Sequence, residues 1–235
     1  KKVIDSYEWS CVPVDDTHCP SDDDLRYLIY NYKTETDKKY SRILTRFDRV
    51  LTHPSKYQET ELGNLFADMI RKRMNTDISL VASGSIRKKE LGPIVTYENL
   101  IAVYTFDDKI YGIKVKGSVL KKMFDFCLAA GIVEDRREFY QVSAGVRIVY
   151  DRKEQYLISM TYKDEPIRDD RIYSVSLQDY HYLNLEKFFG VKYEDLECEY
   201  PAPIISGSAI GLIDEEMSSH GFTDSRVKGR ITFVN

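Results

Sequence analysis

The sequence predicts a mixed α/β fold, and two patterns carry this prediction. Segments with apolar residues at three- and four-residue spacing, which is typical of amphipathic helices, alternate with short runs rich in β-branched residues, which favour strands. The composition, with 43% hydrophobic and 31% charged residues, is that of an ordinary globular protein. A chain of 235 residues is long enough to bury a full core. The alternation predicts helices packed on β-sheet and leaves the order of the layers open.

Charge and hydropathy argue against two classes of protein. The formal charge of −4 and the lack of a basic run give no electrostatic case for binding nucleic acid. No apolar stretch approaches the roughly 20 residues of a membrane span. We therefore expect a soluble protein. The 235 residues contain no secretion signal and no Asn-x-Ser/Thr sequon, and this leaves the compartment open.

The first part of the chain is predicted to be an arm followed by a helix. Residues 1–20 are typical of an extended segment, and Ser21 to Asp24 form an N-cap with acidic residues in the first turn, where the helix dipole favours them. The helix continues towards Tyr40. We divide the chain into residues 1–41, the arm and helix, and residues 42–235, the main domain. A capped surface helix packed on its own domain is equally compatible with the sequence.

Residues 42–235 contain strand and helix signals in turn. Strands are predicted over residues 43–51, 78–81, 110–115, 139–151 (bent, with a bulge at Gly145), 156–162, 172–177 and 229–234. Helices are predicted over residues 59–71, 93–100, 117–128 (ended by Gly131), 185–189 and 204–217.

A turn of small residues follows the strand at 78–81 and is the first candidate site. It runs from Ala82 to Arg87 as Ala-Ser-Gly-Ser-Ile-Arg. Small residues after a buried strand let the backbone approach a ligand closely, and Arg87 brings a rigid fork of donors. This arrangement suits an anion or an electron-rich ring.

No metal site is predicted in this chain. The four cysteines lack the spacing of metal ligands, and Cys11 and Cys19 are near enough in sequence to pair across a short loop. The four histidines are scattered singly, without a helical pair, so each is interpreted as a surface or partly satisfied side chain. Neither a Gly-x-Ser-x-Gly elbow nor a phosphate loop occurs.

Several blocks, in order, resemble the C-terminal domain of the 5′-nucleotidase family. That family has an acidic-x-x-Leu-Gly-Asn-Leu-x-x-Asp helix, then Asn-Gly-Gly-Gly-Ile-Arg, then Leu-Pro-Phe-Gly-Asn. Further matches are the strand at 139–151, similar to Phe-Leu-Gln-Val-Ser-Gly-Leu-Arg-x-x-Tyr-Asp, and the closing Gly-Arg-Ile-x-Phe. The order of separated blocks makes chance agreement improbable. The residues kept in the first three blocks are Leu62 to Leu65, Asp68, Gly84, Ile86, Arg87 and Phe106.

The resemblance implies a fold, a function and a partner. The fold would be an α/β/β/α arrangement. The domain would bind the nucleoside end of a nucleotide, while a separate N-terminal metallophosphoesterase domain with two divalent metal ions hydrolyses the phosphate ester. The Gly-Asp-x-x-Asp and Gly-Asn-His-Glu pieces of that domain do not occur here. We expect no cofactor in this chain and no hydrolysis by it alone, whereas a parent protein would be a phosphoric ester hydrolase.

The resemblance also assigns site residues. Two aromatic rings sandwich the base in this family; Phe106 matches the first, and Tyr180 stands at the second, in the loop Asn-Phe-Leu-Ala-x-Gly-Gly-Asp-Gly. Arg87 matches the arginine of Gly-Gly-Ile-Arg. The predicted substrate-binding residues are Gly84, Ser85, Arg87, Phe106, Asp108, Tyr180 and Glu186.

Departures from the family pattern affect this site. Ala82 replaces the asparagine that opens Asn-Gly-Gly-Gly-Ile-Arg, and Gln58 replaces an arginine before the first helix. The Gly-Gly-Asp-Gly loop has become residues 184–187, in which Glu186 is the remaining acid, and Asp107 and Asp108 follow Phe106. Each lost hydrogen-bond partner costs a buried polar ligand edge ~1–3 kcal/mol.

These departures keep two other functions open. One is a non-catalytic binding or dimerisation domain whose pocket has drifted, in which Phe106 and Tyr180 are only edge aromatics; a homodimer is compatible with it. The other is a specificity domain for a different phosphorylated metabolite. Binding of adenosine and inosine to the chain distinguishes the nucleoside-binding function from these two alternatives.

Overall fold

The structure is a computed structural model and describes residues 3–129, 138–220 and 224–234. The chain divides into two compact units, residues 1–41 and residues 42–235. Among the described residues, no helix combines the length and apolarity that crossing a bilayer requires.

The helices and strands are numbered in chain order. The helices are α1 (Asp23–Tyr40), α2 (Glu61–Met74), α3 (Tyr97–Val103), α4 (Gly117–Leu128), α5 (Asp179–Tyr182), α6 (Leu185–Phe189) and α7 (Ala209–Ser219). The strands are β1 (Ile43–Arg46), β2 (Leu51–Thr52), β3 (Ile78–Ala82), β4 (Glu90–Leu91), β5 (Ile94–Thr96), β6 (Ile110–Lys116), β7 (Tyr140–Val142), β8 (Val146–Asp151), β9 (Tyr156–Tyr162), β10 (Glu165–Pro166), β11 (Ile172–Gln178), β12 (Ile204–Ser206) and β13 (Ile231–Val234).

The second unit is built on two mixed sheets. The five-stranded sheet has the order β12-β6-β11-β3-β7, in which β3 and β11 are parallel and the other pairs are antiparallel. The four-stranded sheet has the order β10-β9-β8-β13, in which β13 runs parallel to β8. Two short two-stranded sheets, β1-β5 and β2-β4, complete it. This is the mixed α/β architecture that the sequence predicts.

Alternation along β3 shows how the layers are formed. Ile78, Leu80 and Ala82 contribute to one hydrophobic core, which also contains residues of the four-stranded sheet and of α4. Val81 points to a second core, formed with α2, α3 and α7. Because successive side chains of a strand face opposite sides, the five-stranded sheet has a helix layer on one face and the second sheet on the other.

The first unit contains α1, an 18-residue helix. The carboxylate of Asp22 accepts a hydrogen bond from the amide of Leu25 and caps the helix, and Asp23 and Asp24 follow in its first turn. This start lies where the acidic run predicts it. Cys11 and Cys19 are both free and exposed, so the pairing considered above is not present.

The structure corrects the helix predicted at 93–100, because Ile94–Thr96 form β5, which pairs with β1, and the helix begins only at Tyr97 after the cap at Thr96. It also corrects three further predicted elements. The strand predicted at 43–51 is two short strands, β1 and β2, with an irregular segment between them. The helix predicted at 204–217 is a strand followed by α7, because Ser208 caps the helix only at residue 209 and Ile204 pairs with Tyr111 of β6.

The third correction concerns the bent strand at 139–151. It is two strands that belong to different sheets: β7 pairs with β3, whereas β8 pairs with β9 and β13. Gly145, with φ +93°, lies in the turn between them rather than in a bulge. A left-handed backbone suits glycine, so this residue allows the chain to change sheets. The predicted end of α4 at Gly131 lies outside the described residues.

A group of polar residues fixes the segment before β13 to α2; we call it the frame cluster. It consists of the buried Glu59, Asn64 and Arg230 and the half-buried Asp68. The Arg230 guanidinium donates to both oxygens of Asp68, at 2.9 and 2.6 Å, and to the carbonyl of Val142 at 2.7 Å. Glu59 accepts from Asn64 Nδ2 at 2.6 Å and from the amide of Arg230 at 2.7 Å. The Asn64 and Asp68 of the family motif therefore hold the fold together.

Candidate functional site

Three loops meet at one edge of the five-stranded sheet. β3 and β11 run parallel and both end there, and β6, which is antiparallel to β11, begins there. The loops after β3 and β11 and before β6 therefore lie side by side. Binding residues are commonly presented on loops held by such a rigid scaffold. The predicted site residues Arg87, Phe106 and Tyr180 belong to these three loops.

Ser85, Asp108 and Gln178 join the three loops by hydrogen bonds; we call them the root cluster. Gln178 Nε2 donates to Ser85 Oγ at 3.0 Å and to Asp108 Oδ2 at 3.1 Å, and Gln178 Oε1 accepts from the amide of Ala82 at 3.1 Å. Gln178 and Ser85 are buried. Burial raises the pKa of Asp108, and the bond from Gln178 opposes this rise.

Each member of the root cluster lies two positions from a predicted ligand-contacting side chain: Ser85 from Arg87, Asp108 from Phe106, and Gln178 from Tyr180. The root cluster therefore brings these three positions to one place.

Arg87 and Phe106 contact each other. The Cζ atom of Arg87 lies 5.8 Å from the centroid of the Phe106 ring, within the range of a cation–π interaction. The amide of Arg87 donates to the carbonyl of Val103 at 2.7 Å, and Ile86 pairs with Tyr104 in an isolated bridge. Both side chains are exposed, with 46% of the Phe106 surface accessible.

Tyr180 lies at the start of α5 and is 52% exposed. Its ring makes edge contacts with His181 (5.5 Å between centroids) and Phe188 (5.5 Å). Among the described residues, the rings of Phe106 and Tyr180 do not contact each other. Leu185 is buried in the core that also contains α4.

Gly84 lies in a 3₁₀ turn, Ser83–Ser85, directly after β3. Its amide donates to Glu138 Oε1 at 2.8 Å, and a Cβ atom at this position would lie 2.8 Å from Glu138 Oε2. A side chain at this position would require the Glu138 carboxylate to shift. Burial raises the pKa of Glu138, so the charged form of this carboxyl group is disfavoured. The carboxyl group provides a polar contact beside the turn.

The replaced glycine loop at 184–187 is partly helical. Leu185–Phe189 form α6, as the sequence predicts, and Gly190 ends it in a left-handed conformation with φ 63°. Glu186 lies in the first turn of α6 and is exposed. This acid therefore lies on a short helix, whose Phe188 and Lys187 side chains contact the Tyr180 ring.

Two Asp-x-His triplets, a spacing also used by metal sites, occur at residues 16–18 and 179–181. Neither forms a ligand group: His18 Nδ1 is bonded to Asp15, and His181 Nδ1 is bonded to Tyr140. In the part of the chain that the structure describes, no three His, Cys, Asp or Glu side chains are arranged to hold a metal ion.

A cavity of about 290 Å³ lies elsewhere in the domain, between α2 and α7. Its walls include Asp68, Arg71, Lys72 and Glu216. Asp68 and Lys72 are engaged in ion pairs with Arg230 and Glu216, so most of the charge in this cavity is already paired. The open edge with the root cluster remains the better candidate site.

Sequence reasoning missed Gln178, Glu138 and His181. Gln178 and His181 flank Asp179 and Tyr180 in a loop that had already been singled out, and Glu138 directly precedes the Phe-x-Gln-Val strand. A polar residue beside a matched motif was the available signal. Their partners lie 41 to 96 positions away, so the sequence could not supply them.

Comparison with known proteins agrees with the architecture. The solved 5′-nucleotidase precursor of Thermus thermophilus superposes with a TM-score of 0.70 at 18% identity, covering 93% of this chain and 45% of that one. The NAD nucleotidase of Haemophilus influenzae gives a TM-score of 0.68 at 19% identity, covering 90% and 41%. At these identities the likeness establishes the fold: layered mixed α/β domains of the nucleotidase type.

The family model described as 5′-nucleotidase, C-terminal domain, matches residues 35–191, and the chain therefore belongs to this family. Among curated relatives, the mouse 5′-nucleotidase is 28% identical over 95% of this chain and 41% of its own length. The NAD 5′-nucleotidase of Haemophilus influenzae is 23% identical over 97% and 42%. The chain thus spans less than half the length of these relatives.

Proposed function

We propose that residues 42–235 bind the nucleoside part of a nucleotide for a separate N-terminal two-metal domain that hydrolyses the phosphate ester. The observation that carries this proposal is the root cluster. It ties together three segments that each carry an exposed side chain two positions from the cluster: a cation, an aromatic ring in contact with that cation, and a second aromatic ring.

The exposed side chains have the chemistry that a nucleoside requires. A base offers flat π faces, and an aromatic stack adds ~0.5–1.5 kcal/mol beyond the burial of area while accepting many bases. Arg87 supplies donors to ring acceptors or hydroxyls, and its contact with Phe106 holds it near a stacked base. Asp108 and Glu186 supply acceptors for the amino groups of a base or the hydroxyls of a ribose.

The names of the relatives support the same class of ligand. The matched proteins include 5′-nucleotidases and an NAD 5′-nucleotidase. The match covers 41% of the mouse relative, so a protein of that length has room for a second domain. Such a domain would bind the metal ions outside the region that corresponds to this chain. Residues 1–41 would then be the connector between the domains. Hydrogen exchange that leaves residues 22–40 unprotected in a full-length protein would contradict this role.

Binding of adenosine and inosine to the 235-residue chain, measured by isothermal titration calorimetry, tests the proposal. Phe106→Ala should weaken binding by ~1–3 kcal/mol, or about 5- to 150-fold, because a base loses one stacking face. Tyr156→Ala is the matched control, since Tyr156 is 48% exposed but lies on β9 of the other sheet. The control should bind like the wild type.

Two results would overturn the proposal. Absence of saturable binding of either nucleoside would favour a binding or dimerisation domain with a drifted pocket. Binding of a phosphorylated metabolite that has no base, unaffected by Phe106→Ala, would favour a different substrate class. The chain alone should not hydrolyse nucleotides with any divalent metal ion, and robust metal-dependent turnover by the purified chain would contradict the division of labour.

A further inference from the structure

Tyr140 and His181 are polar residues at two positions where the family's motifs have leucine. Tyr140 replaces the leucine of Phe-Leu-Gln-Val-Ser, and His181 replaces that of Asn-Phe-Leu-Ala. In the structure the Tyr140 hydroxyl and His181 Nδ1 lie 2.7 Å apart, although 41 positions separate the residues. Both are buried, at 1% and 5% exposure. Either change alone would leave a buried polar group without its partner, so the two function as a pair.

The pair fixes the tautomer of the imidazole. Tyr140 is in contact with Phe189 and His181, and burial keeps its pKa well above the ordinary value, so it retains its proton. The hydroxyl has one hydrogen to donate, and His181 Nδ1 is the partner that the structure gives it. A neutral imidazole that accepts at Nδ1 carries its own proton on Nε2.

The imidazole is neutral at ordinary pH. Burial, and secondarily the ammonium of Lys187 on α6, lower the pKa of His181 to about 4. The charged or titratable groups near the pair are Lys187, Tyr180 beside His181, and Glu138 and Cys127 on the side of Tyr140. His181 therefore presents a neutral N–H donor.

The second ring nitrogen of His181 has no protein partner in the described part of the chain. His53 Nε2 is buried from solvent without a hydrogen bond. His181 Nε2, in contrast, is not fully buried from solvent. The His181 ring lies against Tyr180 (5.5 Å, 80° between planes) and Phe188 (4.7 Å). A donor that is fixed in direction thus lies beside the second aromatic residue of the candidate site.

We propose that His181 is a further ligand-binding residue of this site, which donates one hydrogen bond from Nε2 to an acceptor atom on the edge of a heteroaromatic ring stacked at Tyr180. Tyr140 is the positioning residue that keeps this nitrogen protonated. The inference rests on the proposed function. It narrows the ligand to a ring with an in-plane acceptor, either a ring nitrogen or a carbonyl oxygen, on the side facing α5.

The tautomer is tested first, without any ligand. In the ¹⁵N-labelled chain, long-range ¹H–¹⁵N spectra should show His181 with Nε2 protonated and Nδ1 bare at pH 7. Tyr140→Phe should convert this signal to a mixture of tautomers, because Nδ1 loses its donor. A wild-type His181 protonated on Nδ1 would overturn the inference whatever the chain binds.

The role of the donor is tested with three variants at two positions. The double variant Tyr140→Leu/His181→Leu replaces both partners by apolar side chains, which can be nearly neutral for stability, so it should remain folded. It should bind adenosine about fivefold to tenfold more weakly, the effect of one hydrogen bond. His181→Gln keeps an amide N–H near the position of Nε2 and should recover most of the affinity, whereas His181→Leu should not.

Adenosine analogues identify the acceptor. Of 1-deaza-, 3-deaza- and 7-deazaadenosine, each of which lacks one ring nitrogen, one should bind the wild type about as weakly as adenosine binds the double variant. The double variant should bind that analogue no more weakly than the wild type does, since the change in the ligand and the change in the protein remove the same hydrogen bond. Equal adenosine affinity of the wild type and the folded double variant would refute the inference alone. Failure of the wild type to bind any nucleoside would refute it together with the proposed function.

Discussion

The frame cluster and the root cluster are both hydrogen-bonded networks of buried and half-buried polar groups, but they differ in what surrounds them. Glu59, Asn64, Asp68 and Arg230 bond to one another and to main-chain groups of β7 and of the segment before β13. Ser85, Asp108 and Gln178 also bond to one another, yet each lies two positions from an exposed side chain. The frame cluster joins α2, β7 and the segment before β13 to one another. The root cluster fixes the positions of segments that carry exposed side chains.

The contrast separates the residues that maintain the fold from those that shape the candidate site. The frame residues Asn64 and Asp68 match the family motif, and their bonds link distant parts of the backbone. The root residues stand where the family motifs have other residues, a glycine at Ser85 and an asparagine at Asp108. A substitution in the frame therefore threatens the fold, whereas a substitution in the root reshapes the loops.

The largest expected effect is the loss of Arg230. Arg230→Leu removes both guanidinium bonds from Asp68, which keeps the bond from the amide of Ala144, and removes the guanidinium bond to the carbonyl of Val142. Breaking a buried ion pair costs ~3–5 kcal/mol, and we expect the lower end because the Asp68 side chain is 36% exposed. Urea unfolding measures the effect. Arg226→Leu is the control: its pair with Asp48 is exposed and should contribute at most ~1 kcal/mol. Equal losses from the two substitutions would remove the distinction between frame and surface.

A smaller loss of stability, together with a large loss of binding, is expected from the root cluster. Gln178→Leu leaves the amide of Ala82 and the Asp108 carboxyl without their partner, at a cost of ~1–3 kcal/mol. The loops of Arg87, Phe106 and Tyr180 lose their common attachment, so nucleoside affinity should fall by more than tenfold. Calorimetry on the folded fraction checks this. Unchanged affinity would show that the loops hold their positions without the root cluster.

The smallest expected effects are pH-dependent and of opposite sign. The pKa of Asp108 is raised by burial, so its ionisation costs stability, and this cost appears as the pH rises through the unfolded and then the folded pKa. Asp108→Asn keeps an acceptor for Gln178 and should equal or exceed the wild type in stability at pH 7, by less than ~1 kcal/mol. The difference should vanish at acid pH.

Glu61 on α2 provides the opposite case. The bond from Arg49 lowers the pKa of Glu61, so this carboxylate stabilises the fold above its unfolded pKa, and the stabilisation is lost as the pH falls through the folded pKa. Glu61→Gln should therefore be less stable than the wild type at pH 7 and equal to it at acid pH. Urea denaturation across pH measures both changes. If Asp108→Asn and Glu61→Gln changed the free energy of unfolding at pH 7 in the same direction, the opposite pKa shifts assigned to the two carboxyl groups would be contradicted.

Much of the fold could be predicted because its signals are local. The period of the apolar residues, together with the caps at Asp22 and Thr60, indicates where α1 and α2 lie and begin. Gly63 illustrates a limit even within a matched motif: a Cβ there would overlap the Gln141 side chain, which bonds to Ser83 Oγ at 2.6 Å. The sequence supplies the glycine, whereas the neighbour that requires it lies 78 positions later.

The mixed α/β class, most of the helices and strands, and the segments that carry Arg87, Phe106 and Tyr180 can be predicted from the sequence. The division of residues 139–151 between two sheets, the strand at 204–206, and the place of Gln178, Glu138 and His181 at the candidate site are evident only in the folded domain. The difference arises from the distance along the chain between the residues that interact. Helix periodicity and caps depend on residues within about four positions. The hydrogen bonds that Gln178, Glu138 and His181 make at the candidate site join residues 41 to 96 positions apart, which no local pattern encodes.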